Sequence, residues 1–328
     1  MAFKDILGQD QAIKALQSDL ARDSIYGTYL FTGPEGVGKK LTALNFAKVL
    51  NCKNGKGESC DVCSSCQKID RFEHPDVYSV QPIGNVIKIE QSRALQERIK
   101  YKPYQGEKKV FIIEQAEKMT PQTANSLLKT LEEPPSHAVI ILLSTRRQEV
   151  LSTILSRSRM IEFFPLDSAQ VESILRKEYP DISQKAPLMA RLARGRPGEA
   201  LRLARDDKFL QEREELLSQL TRMRSLKSIF EFSNKWANYS RDDLEKILDL
   251  IEGWFRDIII FKLGGQKEII NLDKEEDLRK LKDNYFLSSL CRLPEITTKT
   301  RKFLRANVGV QLSLENLGIE LVKLYWNA

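Results

Sequence analysis

A glycine-rich loop between an apolar run and a helical stretch constrains the fold of this chain more than any other feature. The apolar run 29–32 leads into Gly33-Pro34-Glu35-Gly36-Val37-Gly38-Lys39, and residues 41–50 then have a helical pattern. Glycines let backbone N–H groups curl around phosphate oxygens, a helix N-terminus adds positive potential, and a lysine supplies a point charge. The alternative is a plain glycine turn between a strand and a helix. The flanking pattern favours a phosphate-binding loop formed by Gly33, Pro34, Gly36, Val37, Gly38 and Lys39.

The apolar pattern divides the 328 residues into three parts. Strand-like runs at 29–32, 77–80, 110–113, 139–143 and 160–164 alternate with helical stretches, which predicts a largely parallel sheet covered on both faces. Strand signals cease after Pro165, and helices dominate from residue 208 onward. We therefore predict an α/β domain over 1–165, a small helical domain over 166–207 and an all-α domain over 208–328.

Cysteine spacing predicts a metal site. Four of the five cysteines fall within 15 residues, in the pattern Cys52-x7-Cys60-x2-Cys63-x2-Cys66. Close CxxC pairs let thiolates converge on one ion in tetrahedral geometry, with bonds of roughly 2.3 Å. Four thiolates leave no vacant position, which predicts a structural site in a module at about 50–70; an Fe–S cluster or disulfides are the alternatives. Cys291 lies alone in a helical region, and we expect a small core residue there.

Two positions depart from what a metal-dependent ATPase requires. A hydroxyl should follow Lys39 to hold Mg²⁺, but residue 40 is a lysine, which offers a metal no acceptor. The second acidic element, a predicted strand ending in Glu114, is followed by Gln115. Glutamine can hydrogen-bond a water molecule but cannot take its proton. Binding of ATP or ADP is compatible with the loop, whereas these two departures predict that the site does not turn over ATP.

Charge and hydropathy give weaker indications. The net charge of +7, from 52 basic and 45 acidic residues, is compatible with an acidic partner such as nucleic acid. No apolar run approaches the roughly 20 residues that span a bilayer. The N-terminus lacks the layout of a secretory signal. We therefore expect a cytoplasmic protein with no membrane partner.

Three sequence strings carry a resemblance to a known family. They are Phe3-Lys4-Asp5-Ile6-Leu7-Gly8-Gln9, then Ala124-Asn125-Ser126-Leu127-Leu128-Lys129-Thr130-Leu131-Glu132-Glu133-Pro134-Pro135, and Thr153-Ile154-Leu155-Ser156-Arg157-Ser158. With them, essentially the whole chain resembles the AAA+ subunits of bacterial clamp loaders, the γ/τ and δ′ proteins. The resemblance implies a P-loop AAA+ domain with a Zn²⁺-binding insert, a helical lid domain and a helical collar domain.

The resemblance also implies roles for single residues. Arg157 corresponds to an arginine finger that reaches into the adjacent subunit's ATP site, although Arg159 would be equally plausible on charge alone. Thr145 corresponds to the position called sensor 1. Gly198 stands where catalytic relatives carry the sensor 2 arginine. Arginine suits a finger because it is always charged and presents a planar fork to phosphate oxygens.

The chain that keeps the finger but lacks the metal hydroxyl, the catalytic acid and the second sensor resembles δ′ subunits more than γ/τ subunits. The implied partners are γ/τ and δ subunits, with the sliding clamp and primer–template DNA reached through the complex. One rival is a self-sufficient, γ/τ-like ATPase. Another is a DNA-binding zinc module, because basic residues surround the cysteines: Lys53, Lys56, Lys68 and Arg71.

Overall fold

The computed structural model describes residues 2–55, 57–306 and 308–326. The chain divides into two compact units. One comprises the residues up to Ser183 together with Ala193–Leu201. The other comprises Gln184–Leu192 and the residues from Arg202 onward.

Five parallel strands form the sheet of the first unit. They are β1 (Thr28–Thr32), β2 (Val77–Val80), β3 (Lys109–Ile113), β4 (Ala138–Ser144) and β5 (Arg159–Glu162). Their order is β2-β3-β4-β1-β5, and every neighbouring pair is parallel. The predicted parallel sheet is confirmed, with each strand within two residues of its predicted place. Strands β1, β3 and β4 are buried along their whole length, as expected for strands covered on both faces.

The helices lie mainly between the strands in the first half of the chain and follow one another in the second half. In chain order the first nine are α1 (Asp10–Ala21), α2 (Lys39–Asn51), α3 (Ser64–Asp70), α4 (Ile89–Ile99), α5 (Pro121–Glu132), α6 (Ser152–Leu155), α7 (Ser168–Glu178), α8 (Ala186–Leu192) and α9 (Pro197–Ala204). The remaining seven are α10 (Asp207–Arg222), α11 (Leu226–Trp236), α12 (Arg241–Lys262), α13 (Glu275–Leu281), α14 (Leu287–Leu290), α15 (Leu293–Arg305) and α16 (Val310–Trp326). Short 3₁₀ turns span Phe3–Asp5, Ala116–Lys118, Arg147–Glu149, Pro180–Ile182, Gln266–Glu268, Leu272–Lys274 and Lys282–Asn284.

Helix α5 illustrates how local sequence fixes an element. The Thr120 hydroxyl accepts the Thr123 N–H at 3.2 Å, and Pro121 occupies the first helical position. The helix ends at Glu132, just before Pro134-Pro135, because proline cannot donate to the helical ladder. Local sequence thus determines both ends of this helix.

Two apolar clusters cover the faces of the sheet. One joins α1 and α2 to the sheet through Leu16, Phe31 and Phe46. The other joins α4 and α5 to the opposite face through Leu95 and Leu127. All five of these side chains are at most 3% exposed. This double covering gives the first unit its three-layer α/β architecture.

The second unit is built from helices around one apolar cluster. Trp236, Trp254 and Phe255 are among its largest members, and each is at most 2% exposed. Asp257 is fully buried in α12 and accepts backbone N–H bonds from Ile270 and Asn271 at 2.7–3.0 Å. A buried polar network therefore fixes the segment that follows α12.

Candidate functional site

The glycine loop, residues 33–39, connects β1 to α2. Gly36 and Gly38 have φ values of 80° and 111°, in the left-handed region that glycine adopts without strain. Gly38 is the N-cap of α2, and Lys39 is its first residue. The loop therefore presents backbone N–H groups and a helix N-terminus in the arrangement that binds phosphate.

Lys39 is folded back onto this loop. Its ammonium donates to the carbonyl of Pro34 at 2.7 Å and to that of Gly33. The residue is only 8% exposed. Burial lowers the pKa of Lys39 to about 8, although the carboxylates of Glu117 and Glu35 oppose the shift. A buried cation at this position is suited to an anionic ligand.

Lys40 and Glu114, the two residues at the expected metal positions, form an ion pair with each other. The Lys40 ammonium lies 2.8 Å from Glu114 Oε1. Ser79 Oγ and Gln81 Nε2 donate to the same oxygen, each at 2.8 Å. Burial raises the pKa of Glu114, but the hydrogen bonds from Lys40, Gln81 and Ser79 outweigh it, and the net shift is downward. One oxygen of the Glu114 carboxylate thus has three donors, and one of the three is the Lys40 ammonium.

Thr42 does not replace the missing hydroxyl. Its side chain is fully buried, and Oγ1 donates to the Gly38 carbonyl at 3.0 Å, one turn earlier in the same helix. Gln115 adopts a left-handed conformation with φ 51° and caps the 3₁₀ turn Ala116–Lys118. Thr42 therefore supplies no free hydroxyl for a metal ion, and Gln115 supplies no second carboxylate.

Glu117 is a residue of this site that sequence reasoning missed. Its Oε1 accepts both the backbone N–H of Thr145 at 3.2 Å and the Thr145 hydroxyl at 2.7 Å. Burial raises the pKa of Glu117, but the hydrogen bonds from Thr145, from the backbone of Glu117 and from Ser144 together outweigh this effect, and the net shift of the pKa is downward. Its position in the sequence could have indicated this role. Glu117 follows β3 and Thr145 follows β4, and the C-terminal ends of parallel strands meet at the same edge of a sheet.

The start of α9 contacts the glycine loop within the same unit. The Gly198 N–H donates to the Gly36 carbonyl at 2.8 Å. A Cβ built at Gly198 would lie 3.0 Å from Gly36 Cα. Gln9 holds the loop from another side, donating to the Val37 and Phe164 carbonyls at 3.1 and 2.7 Å. A residue larger than Gly198 would therefore displace the contact between the start of α9 and Gly36.

Arg157 lies just after α6 and is held by residues of its own chain. Its Nε donates to Glu132, and Nη1 donates to the Thr153 carbonyl at 2.9 Å and to Ser156 Oγ at 3.1 Å. The side chain is 35% exposed. Arg159 is different: its Nε lies 3.6 Å from Asp19, and its guanidinium lies 5.5 Å from the centre of the Tyr26 ring.

The four clustered cysteines come together in space. Their sulfur atoms all lie within 4.8 Å of one another. Backbone N–H groups of Cys60, Cys63 and Cys66 donate to sulfurs of the set at 3.4–3.5 Å, a contact that stabilises thiolates. Burial raises the pKa of Cys63, but N–H groups of Cys66 and Lys53 reverse the shift and lower it to about 6. The set can hold one metal ion with four sulfur ligands.

Charged side chains tie this cysteine module to α2 and to the N-terminal segment. Lys48 of α2 is fully buried and lies 2.7 Å from Asp61 and 3.0 Å from Asp70. Burial lowers its pKa, but hydrogen bonds to both carboxylates outweigh that and raise it. Glu58 accepts the Phe3 N–H at 2.6 Å. The glycine loop and the module thus occupy opposite ends of one helix.

Two other predictions concern residues outside the cluster of thiols. Cys291 is exposed at the end of α14, so the prediction of a core residue is wrong; the residues of this short helix that are buried are Ser289 and Leu290, and Cys291 caps its C-terminus. Of the basic residues around the module, Lys53 and Arg71 are exposed and Lys68 donates to Gln105 at 2.9 Å, while Lys56 lies outside the described residues.

Family models and a full-length relative match the chain. A model described as "DNA polymerase III, delta subunit" matches residues 8–167, and one for the C-terminal part of that subunit matches residues 207–321. DNA polymerase III subunit delta′ of Bacillus subtilis (strain 168) is 31% identical over 320 residues, covering 95% of this chain and 96% of the relative. The chain belongs to the DNA polymerase III δ′ family. This family is the clamp-loader family that the three sequence strings indicate.

Two other relatives match this δ′ family member over a smaller part of the chain or at lower sequence identity. DNA polymerase III subunit tau of Escherichia coli (strain K12) is 36% identical over 207 residues, which are 61% of this chain but 32% of tau. A gamma subunit-related protein from Thermotoga maritima MSB8 superposes with a TM-score of 0.51 at 17% identity, covering 96% of this chain and 99% of that one. The fold is therefore the AAA+ fold followed by a helical region. No described helix has the length and hydropathy of a membrane span.

Proposed function

We propose that this chain is the δ′ subunit of a bacterial DNA polymerase III clamp loader and that it does not itself turn over ATP. In this role it supplies Arg157 to the ATP site of a neighbouring γ/τ subunit. It assembles with γ/τ and δ subunits in the cytoplasm, and through the complex it takes part in loading the sliding clamp onto primer–template DNA. The residues near its own glycine loop serve binding or structure rather than hydrolysis.

The Lys40–Glu114 ion pair carries this proposal. A P-loop ATPase needs a hydroxyl and carboxylates to hold Mg²⁺ and to activate water. Here the hydroxyl position bears an ammonium, and that ammonium lies 2.8 Å from the acid that should approach the metal. A divalent cation at this point would meet a fixed positive charge, and the acid is already hydrogen-bonded to Ser79 and Gln81. Gln115 supplies no base in compensation.

Arg157 fits the task of an arginine finger. It is partly exposed and follows a short helix, so another subunit can approach it. Removing such a finger costs about 10³-fold or more in turnover in enzymes that use one. The neighbour's site, not the site of this chain, is where that loss would be measured.

We propose that the four cysteines bind Zn²⁺. Cys52, Cys60, Cys63 and Cys66 supply four sulfur ligands, which match the tetrahedral preference of zinc and leave no position for a substrate. The ion would crosslink the segment between α2 and α3. Its role is structural.

The experiment that tests the finger uses a reconstituted complex. Arg157→Ala is incorporated with the γ/τ and δ homologues, and DNA-stimulated ATP hydrolysis is measured. We expect the assembly to lose the ATP hydrolysis that the γ/τ site next to this chain contributes. The melting temperature of the isolated variant should stay near that of the wild type, because a partly exposed ion pair adds only about 0–1 kcal/mol.

Arg159→Ala is the matched control, since Arg159 is a second partly exposed arginine two residues away. It should leave the ATPase rate of the complex unchanged. An assembly that contains Arg157→Ala and retains full ATPase would exclude the role in trans.

A γ/τ-like ATPase is the second candidate, supported by the 36% identity to tau over 207 residues of the chain. It predicts steady Mg²⁺-dependent hydrolysis by the isolated chain. The two candidates therefore differ in a measurement that needs no partner.

A further inference from the structure

Glu132 is the side chain that holds Arg157. The carboxylate accepts the Arg157 Nε–H, while Nη1 is shared between the Thr153 carbonyl and Ser156 Oγ. Among the described residues, Nη2 has no partner. We infer that Glu132 is a positioning residue for the arginine finger: it fixes Nε and leaves the Nη2 end available to a phosphate of the neighbouring subunit. This inference rests on the finger role proposed above.

The backbone that carries Glu132 is firmly placed. Glu132 is the last residue of α5, and the preceding Leu131 is 1% exposed. The Leu131 carbonyl accepts the Thr28 hydroxyl of β1 at 3.0 Å. Earlier in the same helix, Ser126 Oγ lies 2.8 Å from Ser92 Oγ of α4. The carboxylate therefore projects from a helix that is fixed to its neighbours at its middle and at its C-terminal end.

The backbone that carries Arg157 is anchored to the same layer. Ile154 of α6 is 1% exposed and belongs to the apolar cluster that includes Leu131. The Arg157 N–H donates to the Ile154 carbonyl at 3.2 Å. Donor and acceptor are thus presented by two packed helices, and only their side-chain torsions remain to be fixed.

Fixing these torsions has a functional consequence. A free arginine side chain samples many rotamers, and a finger works only in the few that reach the transferring phosphoryl group. Hydrogen bonds at Nε and Nη1 remove most of that freedom before the subunits meet, so less ordering remains for the transition state. Losing the Glu132 contact should lower kcat of the served site and leave its KM for ATP almost unchanged, since a finger acts mainly in the transition state.

The first measurement needs only the isolated chain. Exchange of the Arg157 Nε–H with solvent is followed by NMR on ¹⁵N-arginine-labelled protein. Exchange should be up to about fivefold faster in Glu132→Ala than in the wild type, because the acceptor has gone and a partly exposed ion pair contributes at most about 1 kcal/mol. Glu133→Ala is the control: Glu133 is the adjacent exposed glutamate, and its substitution should leave Arg157 unaffected. Equal exchange in all three proteins would overturn the pairing itself.

The second measurement uses the reconstituted complex with γ/τ and δ homologues. Glu132→Ala should reproduce more than about half of the kcat loss caused by Arg157→Ala, with KM within about twofold, because the finger is present but no longer oriented. Glu132→Gln should recover most of the lost rate, since the amide oxygen still accepts from Nε. Glu133→Ala should match the wild type.

The outcomes distinguish failure of the proposed function from failure of the Glu132 positioning role. If Arg157→Ala leaves the ATPase of the complex unchanged, the proposed function fails, whatever the Glu132 variants do. If Arg157→Ala lowers kcat while Glu132→Ala behaves like Glu133→Ala, the finger stands and the positioning role of Glu132 is refuted. A rise in kcat with Glu132→Ala would also refute it, because Glu132 would then restrain the finger.

Discussion

At the scale of single residues, the glycine loop contains a charge that the fold disfavours. Lys39 is 8% exposed, and its hydrogen-bond acceptors are neutral carbonyls of Gly33 and Pro34 rather than a carboxylate. Carbonyl acceptors replace only part of the lost hydration, so burial lowers the pKa of this lysine to about 8. A residue of this kind suits a site for an anion.

Lys39→Met should change how stability depends on pH. The folded-state pKa of about 8 lies below the unfolded value of 10.5, so between these pH values the unfolded chain binds the extra proton. The contribution of Lys39 to the free energy of unfolding of the wild type should therefore rise by up to about 1.4 kcal/mol per pH unit between these two values. Below pH 8 this contribution should not change with pH. Lys39→Met should be the more stable protein at pH 7.5, with a gap that narrows towards pH 10.

Urea unfolding of both proteins at several pH values between 7 and 10 measures this difference. Other lysines titrate in both proteins alike, so the comparison isolates Lys39. If the free energies of unfolding of the two proteins changed with pH in parallel, the pKa of Lys39 would not be lowered by folding.

At the scale of elements, α2 joins the two candidate sites. The glycine loop enters its N-terminus, and Cys52 follows its last residue, Asn51. Lys48 near its end is buried between Asp61 and Asp70 of the cysteine module. Glu58 of the same module accepts the N–H of Phe3. The module therefore holds the end of α2 and the N-terminal segment together.

Removing the metal should loosen these contacts. Without an ion, the segment 52–63 is left with a few hydrogen bonds in place of a four-ligand crosslink, because its described residues, 52–55 and 57–63, form no regular helix or strand. We expect faster amide hydrogen exchange in residues 2–9 and 52–70 after chelation, and little change in β3 and β4. Mass spectrometry of the full chain before and after chelation tests this expectation.

Cysteine variants give the matched comparison for that experiment. Cys60→Ser should abolish binding of about one metal ion per chain, because three thiolates no longer close the site. Cys291→Ser should keep the metal, since this cysteine is exposed and lies outside the cluster. Equal metal content in the two variants would rule out the four-sulfur site.

Elements were predictable where local pattern determines them. Strand β4 was found because Val139–Leu143 is an unbroken apolar run, and α5 because Thr120 and Pro134 mark its limits. The order of the strands was not predicted, because parallel neighbours are far apart in sequence. The same holds for the site: Lys40 and Glu114 were each noted as departures, but their contact depends on tertiary structure. The Glu132 contact to Arg157 was likewise not visible in either motif.

At the scale of the whole molecule, the chain combines an AAA+ unit with a helical unit that has its own polar core. Asp257 accepts N–H bonds from Ile270 and Asn271 and the side-chain amide of Asn271, and Arg213 lies 2.7 Å from both Asn271 and Asp273. We propose this unit as the collar through which the subunit assembles.

Asp257→Ala should destabilise the helical unit. It leaves three donors without their acceptor, two of them on buried Asn271 and one on half-buried Ile270, for which a cost of about 3 kcal/mol is expected. Asp257→Asn keeps one acceptor oxygen and should cost less. Chemical unfolding followed by tryptophan fluorescence measures both, because Trp236 and Trp254 lie in the core of this unit. A loss below about 1 kcal/mol for the alanine variant would mean that water replaces the carboxylate.

The most direct test of the account is ATP hydrolysis by the purified chain alone, with and without Mg²⁺. With Lys40 paired to Glu114 and Gln115 beside it, we predict no turnover above the background of a Lys39→Ala control, at any magnesium concentration. Steady Mg²⁺-dependent turnover that Lys39→Ala abolishes would contradict the account, since this chain would then be an ATPase in its own right.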